Sequence, residues 1–513
     1  MLPLPEAPLH EKSSMNIADH VARVARKHPG HPAILFEGVT LDYGTLDRCA
    51  SALASSLARH GVHHGDRVAL FLPNVPAFAL AYLAALRVGA IVVSINSSFK
   101  WEEVRHIVND ATPKVVFTTA ELLPSLPRPD CPSVVHTVLC EGHEPDEIAL
   151  EDWLARGDAG FRPANMTADA PAALLYSSGT TGRPKGVTLT HGNIVSNMRS
   201  VVKLAKYRRE DRLALFLPLF HVFGQNFIMN AGFEAGATLV LFRRFAADAV
   251  LDAIERERIT KFFAVPTIYI ALLAMDLAGR DLGSIGYWFS AAATMPEEVS
   301  RRWTARFGAR VCEGYGLTEC SPFACYNHER EHRFGSVGTA IPEFTLAIHD
   351  DEGREMPRGE WGEIVIRGPG VMLGYWQKPE DTERALRGGW LHSGDIGRMD
   401  EDGYVYIVDR VKDMINVSGF KVWPAEVEQV LYRHPAVKEL AVYGVPDAMK
   451  GEQVRAAVVL KAGALATPAE LASFCRDHLA NYKTPERIDI VSELPKSATG
   501  KILKRVLREQ AAA

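Results

Sequence analysis

Residues 176–186 read YSSGTTGRPKG, placing five hydroxyl side chains, three glycines and a lysine within eleven positions. Glycines let backbone N–H groups turn toward an anion. Ser177, Ser178, Thr180 and Thr181 add hydroxyl donors, Gly179 and Gly182 give the turns, and Lys185 adds a charge. Those are the parts of a phosphate cradle. A Gly/Ser/Thr cluster is also the composition of a flexible surface linker, and this stretch alone leaves both readings open. It is not a Walker loop, which needs GxxxxGK[ST] between a strand and a helix. Five positions after Gly179 stands Pro184, and Lys185 is followed by Gly186. No dinucleotide GxGxxG is present. Near the C-terminus PKSATGK, residues 495–501, partly echoes the loop and carries a second lysine, Lys501.

The elements around these residues set how they are presented. GVTLT after the loop reads as a strand and HGNIVSN as the start of a helix, so the loop joins two strands. RVALFLP, IVVSIN, KVVFTT, TLVLF and KFFAVP are short, apolar and bounded by turn residues, as strands are. Helical patterns such as ADAVLDAIERERI lie between them, and SMNIADHVARVARKHP reads as a helix with Asn16 a candidate cap. This alternation over the first 310 residues implies parallel sheets covered by helices. From about 325 to 408 strands and turns dominate, as in FTLAIHD, GEIVIRGPG and GYVYIVD. A third texture starts near 410, with a helix opening at Pro424, strands in ELAVYGVP and VRAAVVLK, a helix at TPAE and a strand at RIDIVSEL. The charged stretch 409–412 between them reads as an exposed linker. The PKSATG turn sets Lys501 on a loop ahead of the basic helix KRVLRE.

Composition narrows the class. A chain of 513 residues is expected to hold three or four structural units. A net charge of −5 gives no global attraction to nucleic acid or an acidic membrane. The seven cysteines include no CxxC pair, which argues for reduced thiols and against a zinc site or disulfide framework. The N-terminal MLPLPEAPLHEKSSMN carries Pro, Glu and His where a signal peptide needs an apolar core. The greasiest stretch, 68–93, is cut by Pro73, Asn74, Pro76 and Arg87 and reads as a buried helix at 77–88 and a buried strand at 90–94, not a membrane span. The C-terminal EQAAA is not a peroxisomal address. The expected location is the cytoplasm.

YSSGTTGRPKGVTLTHGN resembles the phosphate loop of the adenylate-forming superfamily, which comprises acyl-CoA and aryl-CoA synthetases, firefly luciferases and peptide-synthetase adenylation domains. The resemblance recurs in order in FLPLFHVFG (216–224), EGYGLTE (313–319), GEIVIRGPGVMLGYW (362–376), WLHSGDIG (390–397), DRVKDMINVSGFKVWPAEVE (409–428) and PKSATGKILK (495–504). Seven such signals in order, from about residue 30 to 508, make it specific. The closest type is a fatty-acid–CoA ligase. The implied fold is α/β: a large N-terminal domain, 1–409, of two α/β sheet subdomains plus a β-rich subdomain. A small mobile α+β domain, 410–513, would follow a hinge near Lys412.

The resemblance implies an enzyme whose carboxylic acid substrate attacks the α-phosphorus of ATP and expels pyrophosphate, after which the thiol of CoA takes the acyl group and releases AMP. Such a site must supply fixed donors and positive charge where negative charge builds up. The loop from Ser177 to Lys185 would cradle the outer phosphates. Tyr315 would lie against adenine, Thr318 would donate to the α-phosphate, and Glu319 would hold Mg²⁺. Asp395 would accept from the ribose hydroxyls, supported by Arg410. Lys501 would bridge the attacking carboxylate and the α-phosphate. His221 would gate the acyl pocket, with Phe220, Val222, Phe223 and Phe227 lining it or packed in the core. Gly419 would let the pantetheine arm pass after the small domain swings. FHVFGQN lacks the Asp that amino-acid-activating relatives place near the gate, which favours a plain carboxylic acid, and the apolar pocket expected there suits a medium- or long-chain fatty acid. An aryl acid, and a carrier-protein pantetheine as acceptor in place of CoA, stay open, as does a homodimeric assembly. A catalytically dead relative is disfavoured by the intact Lys185, Glu319, Asp395, Arg410 and Lys501, and a luciferase-like one by the lack of a peroxisomal ending.

Overall fold

A computed structural model of the chain describes residues 15–177, 183–410, 413–447 and 449–512. Its greasiest stretch forms helix Pro76–Arg87 and strand Ile91–Ser94, both buried. A helix apolar on every face must be covered on every face. The one charge within it, Arg87, is met by the Asp47 carboxylate and by Ser51 Oγ at 2.6 Å. No helix among the described residues is long and apolar enough to cross a membrane. All seven cysteines are free, as the irregular spacing implied.

Two large sheets form the N-terminal lobe. In the nine-stranded sheet, Val311–Tyr315, Tyr287–Ser290, Lys261–Ala264, Arg212–Leu215, Thr238–Leu241 and Pro32–Phe36 run parallel, and antiparallel strands close both edges. In the eight-stranded sheet the order is Gly374–Tyr375, Lys185–Thr190, Pro171–Ser177, Ile91–Ser94, Arg67–Leu70, Val115–Thr118, His136–Leu139 and Ile148–Ala149. Residues 345–410 supply an antiparallel four-stranded sheet, Thr345–His349, Trp361–Arg367, Leu391–Met399 and Val405–Arg410. The strand runs to Arg410, so 409 and 410 belong to this sheet and not to a linker. The C-terminal unit is a second antiparallel platform built on Val437–Asp447 and Gly451–Leu460, with Arg487–Ile490 added in parallel and helices Pro424–Tyr432, Pro468–Arg476 and Lys504–Ala512 against it.

Local signals explain most boundaries. Strands Pro171–Ser177 and Lys185–Thr190, which flank the glycine-rich stretch, pair antiparallel. Helix His191–Leu204 starts where Thr190 and Asn193 cap each other, with Thr190 Oγ1 accepting from Asn193 N–H at 3.1 Å. Asn16 does not cap helix Ala18–Lys27 in the expected way, since Ile17 holds the cap position. Its Oδ1 accepts from Ala18 N–H at 3.0 Å while its amide ties the Leu86 and Ala164 carbonyls. The oxygen thus serves the helix start while the amide hydrogens satisfy two distant carbonyls.

Away from the cleft, Trp303 is fully buried against Tyr269, Trp288 and Phe307. Trp303→Ala is expected to cost about 3–5 kcal/mol, read as a lower urea midpoint for unfolding of the N-terminal lobe. A midpoint shift below ~1 kcal/mol would mean that this cluster collapses around the cavity.

Candidate active site

The candidate residues follow the C-terminal ends of parallel strands, where open α/β sheets leave a crevice. His221 lies beyond Arg212–Leu215, Tyr315 ends Val311–Tyr315, and Ser177 ends Pro171–Ser177. Thr318 and Glu319 sit on a 3₁₀ turn just past Tyr315.

Glu319 joins the two sheets. Its Oε1 accepts from Ser177 Oγ at 3.3 Å and from Tyr375 Oη at 3.1 Å, and the side chain is buried. Met372 N–H donates to the Glu319 carbonyl at 2.8 Å, closing the same junction through the backbone. Burial, and after it the Glu319 carboxylate, push the Tyr375 hydroxyl well above the usual phenol range, which keeps it a donor.

Lys185 begins the second strand of the loop and pairs with Asp381 Oδ2 at 2.9 Å. Its ammonium also stands 5.4 Å from the Tyr375 ring centroid. Asp381 lies on helix Pro379–Ala385, and its other oxygen takes Arg384 at 3.0 Å. The hydrogen bond from Lys185 holds the Asp381 carboxyl below the usual carboxylate range. The flanks of the loop are pinned as well: Tyr176 Oη donates to Asp110 at 2.7 Å, and His106 Nε2 meets the Pro184 carbonyl at 2.9 Å. Gly186 is closely packed: a Cβ there would stand 3.1 Å from Tyr176 Cζ and 3.2 Å from Trp376 Cβ, so either neighbour would have to give way. Ser178, Gly179, Thr180, Thr181 and Gly182 lie outside the described residues, as does Lys412.

On the opposite side of the cleft, Tyr315 Oη donates to Asp395 Oδ2 at 2.8 Å, both residues being buried. Burial and the neighbouring carboxylate hold the Tyr315 hydroxyl far above the usual phenol range. Asp395 faces Arg410 in the strand register. The EGYGLTE and HSGDIG motifs therefore meet through a hydrogen bond.

His221 and Lys501, far apart in the chain, lie close enough to act on each other electrostatically. Burial, and after it the Lys501 ammonium, push the imidazole pKa down to about 3. Phe223 N–H donates to His221 Nδ1 at 3.2 Å, so Nδ1 is the bare nitrogen of a neutral ring. Lys501 lies on the loop before helix Lys504–Ala512, as its turn implied. Lys496–Glu439 at 2.9 Å and Lys504–Glu428 at 3.0 Å anchor the two ends of this loop within the C-terminal unit. Gly419 is not brought to the cleft. It sits at φ +89° on an exposed turn, with no atom within 4 Å of a Cβ built there, and its N–H donates to Asn416 Oδ1 at 2.9 Å.

Sequence reasoning missed three features. Tyr375 lies within the motif 362–376 and Asp381 just after it, but neither carries a signal of its role, because their partners are set by a strand pairing far along the chain. The helix after His221, Phe223–Asn230, is a π-helix. Such turns occur often at functional sites, and here it directs Gln225, Asn226 and Asn230 inward. Gln225 reaches Ser94 Oγ at 2.8 Å, and Asn230 reaches Tyr82 Oη at 2.9 Å. Val222, Phe223 and Phe227 are core residues, with Phe227 stacked on Phe289 at 4.6 Å.

The depressed pKa of His221 has a consequence for stability. An unfolded imidazole binds its proton near pH 6.5, whereas folded His221 does so only near 3. Between those values the unfolded state holds the extra proton, so stability falls as pH drops. His191, pushed down to about 4 by burial, acts in the same direction. His221→Gln should therefore flatten the fall in the urea midpoint between pH 7 and pH 5. An unchanged slope would show that His221 takes up its proton without unfolding.

The family model "AMP-binding enzyme" matches residues 21–376, and "AMP-binding enzyme C-terminal domain" matches 426–501. The long-chain-fatty-acid–CoA ligase of Bacillus subtilis (strain 168) is 36% identical, over 98% of this chain and 96% of its own. The anthranilate CoA ligase AuaEII in complex with anthranoyl-AMP superposes with a TM-score of 0.93 at 31% identity, covering 97% of this chain and 98% of its own. MatB from Rhodopseudomonas palustris, 32% identical over 97% of this chain and 99% of its own, gives 0.90 in its ATP-bound form and 0.80 in its apo form. The chain belongs to the AMP-binding enzyme family of the adenylate-forming superfamily and is an AMP-forming acid–thiol ligase.

Proposed function

We propose that the protein is an ATP-dependent carboxylic acid–CoA ligase acting on a medium- or long-chain fatty acid. The observation that carries the two-step reading is the seating of the Lys501 loop beside His221, which puts a lysine of the C-terminal unit at the cleft of the N-terminal lobe. The better superposition on ATP-bound than on apo MatB supports assigning this pose to the first step.

In that step the loop from Ser177 to Lys185 receives the outer phosphates of ATP, and Lys185 exchanges part of its pairing with Asp381 for phosphate. Thr318 donates to the α-phosphate. Asp395, oriented by Tyr315, accepts from the ribose with Arg410 beside it. Lys501 draws the substrate carboxylate and the α-phosphate together, so two anions meet at a fixed positive charge. His221 stays neutral beside Lys501 and so adds no competing cation. Glu319 fits a hard ion that wants oxygen ligands, since its neighbours Ser177 and Tyr375 are oxygen donors as well. Among the described residues no group of three or more His, Cys, Asp or Glu could hold a metal alone, which fits Mg²⁺ shared with substrate phosphates. When bound, Mg²⁺ would neutralise charge on the departing pyrophosphate.

For the second step the C-terminal unit, residues 410–513, turns about Lys412, withdraws Lys501 and presents Gly419 to the pantetheine arm. The aromatic core behind His221 and the absence of an acidic residue in FHVFGQN favour an apolar acid. An aryl acid is the second reading, favoured by the superposition on the anthranilate ligase.

A panel of fatty and aryl acids, assayed for pyrophosphate release with CoA present and absent, separates these readings. Fatty acids of eight or more carbons should give kcat/KM about tenfold or more above aryl acids; the reverse order would overturn the substrate assignment. Lys501→Ala should lower acyl-adenylate formation by about 100-fold or more and leave thioester formation from supplied acyl-adenylate within a few-fold. Lys412→Pro should instead impair the second step more than the first. Equal loss of both steps in each variant would refute the alternation of the C-terminal unit.

A further inference from the structure

Thr267 is the second residue of helix Pro266–Leu273, directly after strand Lys261–Ala264 of the nine-stranded sheet. Its hydroxyl does not bond within its own helix. It donates to the carbonyl of Gly500 at 3.1 Å, a partner 233 residues away in the C-terminal unit. Gly500 stands at φ +81°, and a Cβ there would lie 2.9 Å from Val265 Cγ2 and 3.2 Å from Thr267 Oγ1. The N-terminal lobe therefore touches the backbone of the lysine loop with no room for a side chain.

That backbone is stiff. Ser497 N–H donates to the Lys501 carbonyl at 2.8 Å, Gly500 N–H to the Ser497 carbonyl at 2.9 Å, and Lys501 N–H to Ser497 Oγ at 3.2 Å. Ser497 and Thr499 hydroxyls meet at 2.8 Å, and Lys496 pairs with Ile502 across the loop. The Gly500 carbonyl belongs to the peptide that leads into Lys501, so fixing its plane fixes the root of the lysine side chain. A second crossing bond, Glu297 N–H to Gln429 Oε1 at 3.2 Å, holds the C-terminal unit at a distance from this point. It orients the unit but does not touch the loop.

We propose that Thr267 is a positioning residue for the adenylation step alone: its hydroxyl latches the Gly500 carbonyl, and the latch opens when the C-terminal unit turns. The proposal rests on the assignment of Lys501 to the first step. A hydroxyl that only stabilised the fold would act on both steps alike, whereas this one should act on one.

Thr267→Val keeps the shape and removes the donor, and Thr267→Ser keeps the donor. Acid-dependent ATP–pyrophosphate exchange reports the first step, and thioester formation from preformed acyl-adenylate and CoA reports the second. Thr267→Val should lower kcat of exchange about tenfold, as expected for one lost hydrogen bond, with KM for ATP and acid changed less than about twofold. The second step should stay at the parent rate, and Thr267→Ser should restore exchange to within about threefold. Gly500→Ala should impair exchange with the same selectivity, by crowding in place of bond loss. Unchanged exchange in Thr267→Val beside an inactive Lys501→Ala would overturn the latch and leave the lysine assignment standing. Full exchange in Lys501→Ala would remove the assignment itself. Equal loss of both steps in Thr267→Val, or failure of Thr267→Ser to restore exchange, would mark a purely structural contact and overturn the proposal.

Discussion

The cleft depends on one buried carboxylate. Glu319 follows the last parallel strand of the nine-stranded sheet, and its Oε1 takes hydroxyls from Ser177 and Tyr375, both on the eight-stranded sheet. A carboxylate removed from water is costly unless its lone pairs are met. Meeting them with hydroxyls from the facing sheet sets the distance between the two sheets at the point where the glycine-rich stretch begins. Every other candidate group is measured from that junction: Lys185 one strand over, Tyr315 four residues back, and the lysine loop docked on the helix after a neighbouring strand.

The chemistry asks for positive charge that is available without being loose. Lys185 is stored against Asp381, whose second oxygen is held by Arg384, so the ammonium is kept in place until an anion competes for it. Lys501 is stored differently, on a hairpin tied at both ends by ion pairs inside its own domain. Between them His221 is kept neutral by burial. Two lysines and an imidazole that burial keeps from protonating thus belong to the candidate site.

The junction between the two domains is narrow by comparison with the cores on either side. Bonds such as Thr267 to Gly500 and Glu297 to Gln429 join backbone groups to single side chains across it. Contacts of that kind are specific in direction yet modest in net energy, which suits the alternation proposed for this unit.

Much of this was legible in the sequence. The strand–loop–strand around YSSGTTGRPKG, the buried helix before residue 90 and the texture changes near 325 and 410 follow from apolar periodicity and turn residues, which act over a few positions. The candidate residues followed from the resemblance of seven motifs to the adenylate-forming superfamily. What the sequence did not disclose were partners. Nothing near Lys185 in the chain points to Asp381, nothing near Thr267 points to Gly500, and the π-helix after His221 has no local signature. Asn16, read as a helix cap, is drawn to two distant carbonyls. The sequence by itself determined which groups are present and which elements carry them, because those depend on neighbours along the chain. Only the tertiary structure decided which hydroxyl meets which carboxylate and which ring stays neutral, because those depend on what burial brings together.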